Sequence, residues 1–339
     1  MYKKDITFHP SWWNKNCGVD FDRRFFDDPE YRIACDMKMR KTLYEKFGDY
    51  GIGEKNPAPR PIIGSDLIAS GYLYSELLGC DIRYGEDAPP EVISKEAVLE
   101  EMVDWKNHPT WKKLEEQVEW LKKNYGHVVP CVNLQGVQNL AIDVRGSEFM
   151  MDYYEEPEQC ETLLEICTKL SIEIGNYFYR LTEQISGGVT AIVNQTVPKA
   201  YVTSNCTVDM ISPNLYEEFL LPCDQRLAEV FPVFGVHHCG TAMERYAKSY
   251  AKIKPHLEFA EVGAGSDIAA AREALPDTFL NLRYSPVKLK TASVDEIRYE
   301  LEQAKKVGGD RDLVSLSCVG IDSGVSDEQV KAYLTYAEK

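Results

Sequence analysis

The sequence predicts an α/β protein, a (β/α)8 TIM barrel with an N-terminal helical extension. After Tyr125, short β-branched runs alternate with amphipathic stretches, a rhythm typical of parallel β/α units. Six such units can be counted, and an early pair would complete the eight of a barrel of typical size. The chain of 339 residues is long enough for one large barrel. Neither GxGxxG nor GxxxxGK[ST] occurs after a predicted strand, which disfavours an open doubly wound sheet.

The N-terminal third is predicted to be mainly helical. Residues 1–125 form the helical extension and early barrel elements, and 126–339 form the main barrel units, within one domain over 1–339. The segment Asp28–Phe47 begins with an Asp-Pro helix start and carries spaced apolar positions. Two strands are expected to lie hidden in this third of the chain.

The later two thirds give the barrel units in order. Their predicted strands are His127–Leu134, Val189–Gln195, Val233–Cys239, Leu257–Val262, Thr278–Tyr284 and Leu313–Cys318. The predicted helices between and after them are Pro157–Thr182, Ser212–Val230, Met243–Ile253, Asp267–Ala274 and Val294–Val307. Several of these helices open with a capping residue or a proline, which supports their starting points.

Charge and cysteine usage narrow the class of protein. The 38 Lys and Arg against 54 Asp and Glu give a net charge of −16, which argues against nucleic-acid or anionic-membrane partners. No run approaches the roughly 20 apolar residues of a membrane span, and the N-terminus lacks a secretory apolar region. The ten scattered cysteines are interpreted as reduced thiols. We therefore expect a cytoplasmic protein.

Polar residues follow the predicted strands, where a barrel carries its functional side chains. The first strand ends at Asn133 and Gln135, and the second ends at Asn194. These three residues are predicted to bind substrate or to fix the tautomer of a ligand histidine.

The pattern His237-x-Cys239 is the sharpest local signal. On a strand, residues i and i+2 point to the same face, so His237 and Cys239 can hold one ion while His238 points away. An imidazole and thiolates suit zinc, and Cys318 at the end of the last strand is the expected third ligand. The alternative is that these residues are simply packed in the core. The other cysteines are interpreted as packing residues, but the loop position of Cys206 leaves its role open.

Three further residues are candidates beside the metal. Glu261 is expected to be a fourth zinc ligand or to orient His237. Arg283 is expected to clamp an anionic substrate group, with a structural ion pair to Glu261 as the alternative. Tyr284 is expected to line an aromatic substrate pocket.

With these residues in place, the chain resembles the uroporphyrinogen decarboxylase-like superfamily. Within it, the chain is similar to the zinc-dependent, corrinoid-linked methyltransferases of the methylcobamide:coenzyme M methyltransferase type. The resemblance rests on His237-His238-Cys239-Gly240 followed by Cys318, and on the stretches Gln135–Glu158 and Met210–Pro222. It covers roughly residues 125–335. No PxWxMRQ-like run occurs, which disfavours porphyrinogen decarboxylation.

The resemblance implies a zinc-dependent methyltransferase on a TIM barrel. Its partners would be a corrinoid-carrying protein and a small-molecule methyl donor or acceptor, such as a thiol, tetrahydrofolate or a methoxylated compound. None of the six histidines lies in a DxHxxG context, so the corrinoid is expected to come from that separate protein. A metal-free lyase and a non-catalytic accessory barrel are the competing interpretations.

Overall fold

The computed structural model describes residues 1–68, 72–183, 197 and 199–338. Its strands are β1 (Lys3–Phe8), β2 (Ile62–Gly64), β3 (Asp81–Arg83), β4 (Glu91–Ile93), β5 (Val129–Cys131), β6 (Tyr201–Ser204), β7 (Phe234–His238), β8 (Phe259–Val262), β9 (Phe279–Tyr284) and β10 (Val314–Ile321).

The helices surround these strands. They are α1 (Pro10–Cys17), α2 (Arg23–Asp27), α3 (Pro29–Phe47), α4 (Leu73–Leu77), α5 (Pro109–Tyr125), α6 (Val137–Arg145), α7 (Phe149–Glu155), α8 (Pro157–Thr182), α9 (Pro213–Leu215), α10 (Leu221–Val230), α11 (Ala247–Tyr250), α12 (Ile268–Ala274), α13 (Pro286–Leu289), α14 (Val294–Gly308) and α15 (Asp327–Glu338). A π-helical turn, Tyr216–Leu220, joins α9 to α10.

Parallel strands form the centre of the fold. One sheet has six strands in the order β1-β10-β9-β8-β7-β6, and a separate parallel pair joins β2 to β5. The α/β class with a parallel sheet is therefore confirmed. Within the described residues, no pairing of β1 with β2 or of β5 with β6 closes these eight strands into a ring, so the closed (β/α)8 barrel stays a prediction.

Helix starts follow the local signals in the sequence. The side chain of Asp28 accepts a hydrogen bond from the backbone of Tyr31 at the start of α3, and Ser293 with Glu296 forms a capping box at the start of α14. The predicted helix Pro157–Thr182 has the bounds that were expected. Caps and periodicity are local properties, which is why these helices can be located from sequence.

The strands differ from the prediction in two places. β6 (Tyr201–Ser204) was not predicted, because the strand that follows the helix Pro157–Thr182 was assigned to the β-branched run Val189–Gln195 instead. The predicted strand Val189–Gln195 lies outside the described residues. Among its described residues, the N-terminal third contains four strands instead of two. The first of them, β1, pairs with β10 in the main sheet, with Lys3 opposite Ser315.

The buried apolar side chains form two large clusters. The larger one packs α5, α6 and α8 against the strands β5–β8. The second packs the aromatic residues of β1, α1 and α3 against β10 and α15, and includes Trp12, Trp13 and Tyr333. In the described part of the chain, none of the helices is both long and apolar enough to cross a bilayer.

Candidate metal centre

The register between neighbouring strands brings the candidate site residues to one face of the sheet. Ser204 on β6 is opposite His237 on β7, which is opposite Glu261 on β8, which is opposite Asn281 on β9. Residues opposite each other in register share a face of the sheet, and so do residues two positions further on. Cys206 and Cys239 lie two positions after Ser204 and His237, at the carboxyl ends of their strands.

Three side chains come together at this edge. The potential ligand atoms of Cys206, His237 and Cys239 all lie within 4.8 Å of one another. His237 is 1% exposed, whereas Cys239 is exposed to solvent and Cys206 is partly buried. The group, here called the metal group, is therefore closed to solvent at His237 and most open at Cys239.

Glu261 fixes the orientation of His237. Its Oε2 contacts the imidazole Nδ1, which leaves Nε2 of the ring for an ion. Although burial opposes the effect, the Glu261 carboxylate raises the pKa of His237 to about 9. In turn, and again against burial, the charges of His237 and Arg283 lower the pKa of Glu261. A histidine that binds a metal ion commonly donates a hydrogen bond from its other ring nitrogen to a carboxylate in this way.

Arg283 belongs to the same network. Its Nε lies 3.1 Å from Oε1 of Glu261, and both side chains are largely buried. This is the ion pair that the sequence left open as the alternative to a substrate clamp. Within this pair, the Arg283 guanidinium places a positive charge near the metal group, and that charge helps to lower the pKa of Cys239.

The two thiols influence each other. Hydrogen bonding with Cys206 lowers the pKa of Cys239 against the effect of burial, and His237 and Arg283 lower it further. The same contact, together with burial, raises the pKa of Cys206. Thiols and an imidazole that lie this close together are groups from which a bound metal ion would displace protons.

Helix α6 holds the loop that carries Cys206. The side chain of Asn139 donates to Ser204 O at 2.9 Å and accepts from Thr207 Oγ1 at 2.7 Å, one contact on either side of the cysteine. Gly136 permits this close approach, because a Cβ there would lie 2.0 Å from Ser204 O. The position of Cys206 is therefore fixed by a residue that does not touch the metal group's histidine.

Cys318, the expected third ligand, lies outside the metal group of the described residues. Its neighbour Ser317 donates a hydrogen bond to Asn281, which shares the face of His237. Because side chains alternate along a strand, Cys318 points to the opposite face. There it is completely buried in the cluster that contains Tyr333.

Tyr284 shares the placement of Cys318. It is opposite Cys318 in register, and its ring centroid lies 6.0 Å from that of Tyr333 on α15. His238 also points away from the metal group, as expected, and its Nδ1 lies 3.0 Å from the Tyr250 hydroxyl.

The remaining predicted residues are distributed around the fold. Gln135 is buried and donates to Ser75 and Asp143 at 2.9 and 3.0 Å, so its side chain is engaged within the protein. Asn133 lines a cavity at the ends of β2 and β5. Asn194 lies outside the described residues.

Sequence reasoning missed Cys206 as a ligand candidate. The sequence did contain one usable signal, the spacing of the cysteine. Cys206 follows Ser204 of β6 by two positions, as Cys239 follows His237 of β7 by two positions. Finding that signal required the position of β6, whereas the sequence analysis assigned the strand of this unit to Val189–Gln195 and so placed Cys206 in a loop. The resulting donor set of one imidazole and two thiols fits the preference of zinc, and leaves room for a fourth ligand from solvent or substrate.

Two solved structures share this fold. A methyltransferase from Methanosarcina mazei superposes with a TM-score of 0.64 at 18% identity, covering 98% of this chain and 93% of that chain. A B12-independent methionine synthase from Shewanella sp. W3-18-1, in complex with selenomethionine, superposes with a TM-score of 0.50 at 11% identity, covering 99% and 95%. At these identities the likeness concerns the fold.

The sequence comparisons are decisive for the family. No curated protein matches the chain at a significant level. The sequence profile of the uroporphyrinogen decarboxylase (URO-D) family matches residues 63–339, which is well over half of the chain. The chain therefore belongs to the uroporphyrinogen decarboxylase family.

Proposed function

We propose that the chain is a zinc-dependent methyltransferase. It would move a methyl group between the cobalt of a corrinoid carried by a partner protein and a small-molecule donor or acceptor. The observation that carries this proposal is the metal group of Cys206, His237 and Cys239 at neighbouring strand ends. The resemblance of His237-His238-Cys239-Gly240 to the corrinoid-linked methyltransferases supports it.

The residues of the metal group match what zinc requires. His237 would bind through Nε2, and Cys206 and Cys239 would bind as thiolates. Zinc held there would act as a Lewis acid that lowers the pKa of a thiol or polarises the oxygen of a methoxylated compound. Arg283 and Glu261 form the ion pair behind the group, and Glu261 keeps the imidazole in one orientation.

The protein's own part in the reaction is largely positioning. Methyl transfer requires the attacking atom, the methyl group and the leaving atom to lie in line, so fixed geometry contributes much of the rate. The register between β6, β7 and β8 fixes the relative positions of the residues in the metal group, and the Asn139 contacts hold the loop that carries Cys206. The exposed side of Cys239 leaves an approach for a corrinoid protein.

The substrate class follows from the same proposal. We expect a thiol, tetrahydrofolate or a methoxylated compound on one side, and a separate corrinoid protein on the other. We also propose that residues 1–339 act as one domain in the cytoplasm, which the pairing of β1 with β10 supports for the domain.

Metal content of the purified protein is the first test. We expect about one zinc per chain in the wild type, and loss of most of it in Cys206→Ala, His237→Ala and Cys239→Ala. Cys318→Ala is the matched control, a cysteine removed from the other face of the sheet, and should keep its zinc. Methyl transfer from methylcobalamin to a thiol should be lost in the same three variants.

Two outcomes would overturn parts of the proposal. Zinc lost from Cys318→Ala but kept in Cys206→Ala would restore the ligand set predicted from sequence. A wild type prepared under reducing conditions without stoichiometric zinc would remove the mechanism and leave a metal-free lyase or an accessory role.

A further inference from the structure

A cavity of about 310 Å3 lies away from the metal group. It is formed where β2 and β5 end and where α2, α4 and α5 cover them, and none of the metal group's residues lines it. Cavities of this volume are within the range of small-molecule sites, and about 150 Å3 already holds benzene. There is room here for one substituted ring.

Three aromatic rings form one wall of the cavity. The centroid of Phe26 lies 4.8 Å from that of Tyr72 and 5.6 Å from that of Tyr84, and the Tyr72 and Tyr84 centroids lie 5.8 Å apart. Ile63 and Leu114 line the cavity as well. Aromatic walls favour a further aromatic ring, which can pack edge-to-face or offset against them.

The charges at the rim cancel in pairs. Lys113 lies 2.7 Å from Asp27, and Arg23 lies 3.9 Å from Glu76, so two cations face two carboxylates. An ionic ligand would have to compete with these internal pairs. The rim therefore favours a ligand without net charge.

One residue that lines the cavity, Asn133, has an unpaired polar atom in its side chain. The side-chain Oδ1 of Asn133 is buried and has no hydrogen-bond partner among the described residues. A buried polar atom without a partner is costly, and a ligand that supplies one recovers that cost. A hydroxyl group can both donate and accept, so it suits the Asn133 amide in either orientation.

Part of the cavity lies outside the match to the URO-D family. Arg23, Phe26 and Asp27 precede residue 63, where the match to the URO-D family begins. One hydrogen bond links the strand end at the cavity to the strand that precedes Cys206. Leu134, next to Asn133, accepts a hydrogen bond of 2.8 Å from Ser204, two residues before Cys206.

We propose that this cavity, here called the aromatic cavity, binds an uncharged compound with one aromatic ring and a hydroxyl group. The ring lies against Phe26, Tyr72 and Tyr84, and the hydroxyl bonds to Asn133. Binding itself does not depend on zinc. That the bound compound is the methyl donor or acceptor rests on the proposed function.

The test uses phenol and toluene as probes, with binding measured by ligand-observed NMR on the purified wild type and variants. Phenol should bind more tightly than toluene. Asn133→Leu should weaken phenol about tenfold, the value of one hydrogen bond, and leave toluene unchanged. Thr110→Trp, a substitution at the half-buried rim, should abolish binding of both probes, and the exposed Asn124→Leu should change neither.

Each other outcome overturns a stated part. Equal phenol binding in wild type and Asn133→Leu would remove the role of the hydroxyl. Full binding of both probes by Thr110→Trp would place the site elsewhere. Absence of phenol binding to the wild type at millimolar concentration would remove the site, whatever the zinc content shows about the metal group.

Discussion

The metal group and the aromatic cavity both lie at the carboxyl ends of parallel strands, but they are held in different ways. Around the metal group, each important side chain has a polar partner: Glu261 contacts His237, and Arg283 pairs with Glu261. In the aromatic cavity the wall is apolar, and Asn133 has an acceptor without a partner. The first arrangement fixes geometry for an ion, and the second leaves a vacancy for an organic molecule.

Two sites in one fold can depend on different parts of the chain. The metal group depends on β6, β7 and β8, which lie within the match to the URO-D family. The aromatic cavity depends on α2, which precedes that match. Tyr72, Tyr84 and Asn133 of the cavity lie within the match. Substitutions confined to α2 would therefore change the cavity and leave the metal group intact.

The largest effects are expected in a crossed experiment, which tests whether the metal group and the aromatic cavity are independent sites. Cys206→Ala should lose most of its zinc and bind phenol as the wild type does. Thr110→Trp should lose phenol binding and keep about one zinc per chain. Zinc content and phenol titration on both variants check this, and joint loss of both ligands in either variant would show that the two regions are one site.

The second expected effect is on the pH dependence of stability, through a buried carboxylate beside the loop that carries Cys206. Burial raises the pKa of Asp224 from 3.8 to about 6, although Asn205 and Tyr216 donate hydrogen bonds to it. The folded state therefore prefers the protonated form, and stability present near pH 4 is lost as the pH rises through 6.

Replacing this group should remove that loss. Relative to Asp224→Asn, the wild type should lose up to about 3 kcal/mol of unfolding free energy between pH 4 and 7. Urea unfolding of both proteins across this range is the measurement. A stability difference that does not vary with pH would contradict the assignment.

The carboxylate behind His237 gives the next effect. Glu261→Gln should weaken zinc binding about 10- to 100-fold, because the amide orients the imidazole less strongly than a carboxylate does. Competition with a chromophoric chelator measures the affinity. Glu258→Gln, the same substitution just before β8, is the matched control, and equal losses in both variants would argue against a specific role of Glu261.

The smallest effect is expected from Asn139. Asn139→Ala removes the contacts to Ser204 and Thr207 that bracket Cys206, so zinc affinity should fall about fivefold. Thermal unfolding of the metal-free protein separates this effect from general destabilisation. A lower melting temperature with unchanged zinc affinity would make Asn139 a structural residue only.

The sequence predicts more of the helices than of the sites. The start of α3 depends on Asp28 and that of α14 on Ser293, and both signals lie within a few residues. The choice between Cys206 and Cys318 depends on which face of a strand each one occupies. An error of one residue in the position of a strand exchanges its two faces, and β6 offers only four residues from which that position could be predicted.

The aromatic cavity was beyond sequence reasoning for a different reason. Its wall combines Phe26, Tyr72 and Asn133, which come from three separated parts of the chain. No local pattern links them, since they meet only when α2, α4 and β5 have packed. Asn133 could be recognised as a strand-end polar residue, but the aromatic side of its surroundings could not.

The pairing of β1 with β10 has a consequence for how the molecule is made. Lys3 finds its partner Ser315 only after nearly the whole described chain has been synthesised. During translation, the apolar side chains of β1 and α1 therefore lack the residues against which they finally pack, including Tyr333. Contacts so distant in sequence slow folding, so this apolar surface stays exposed until α15 has been synthesised.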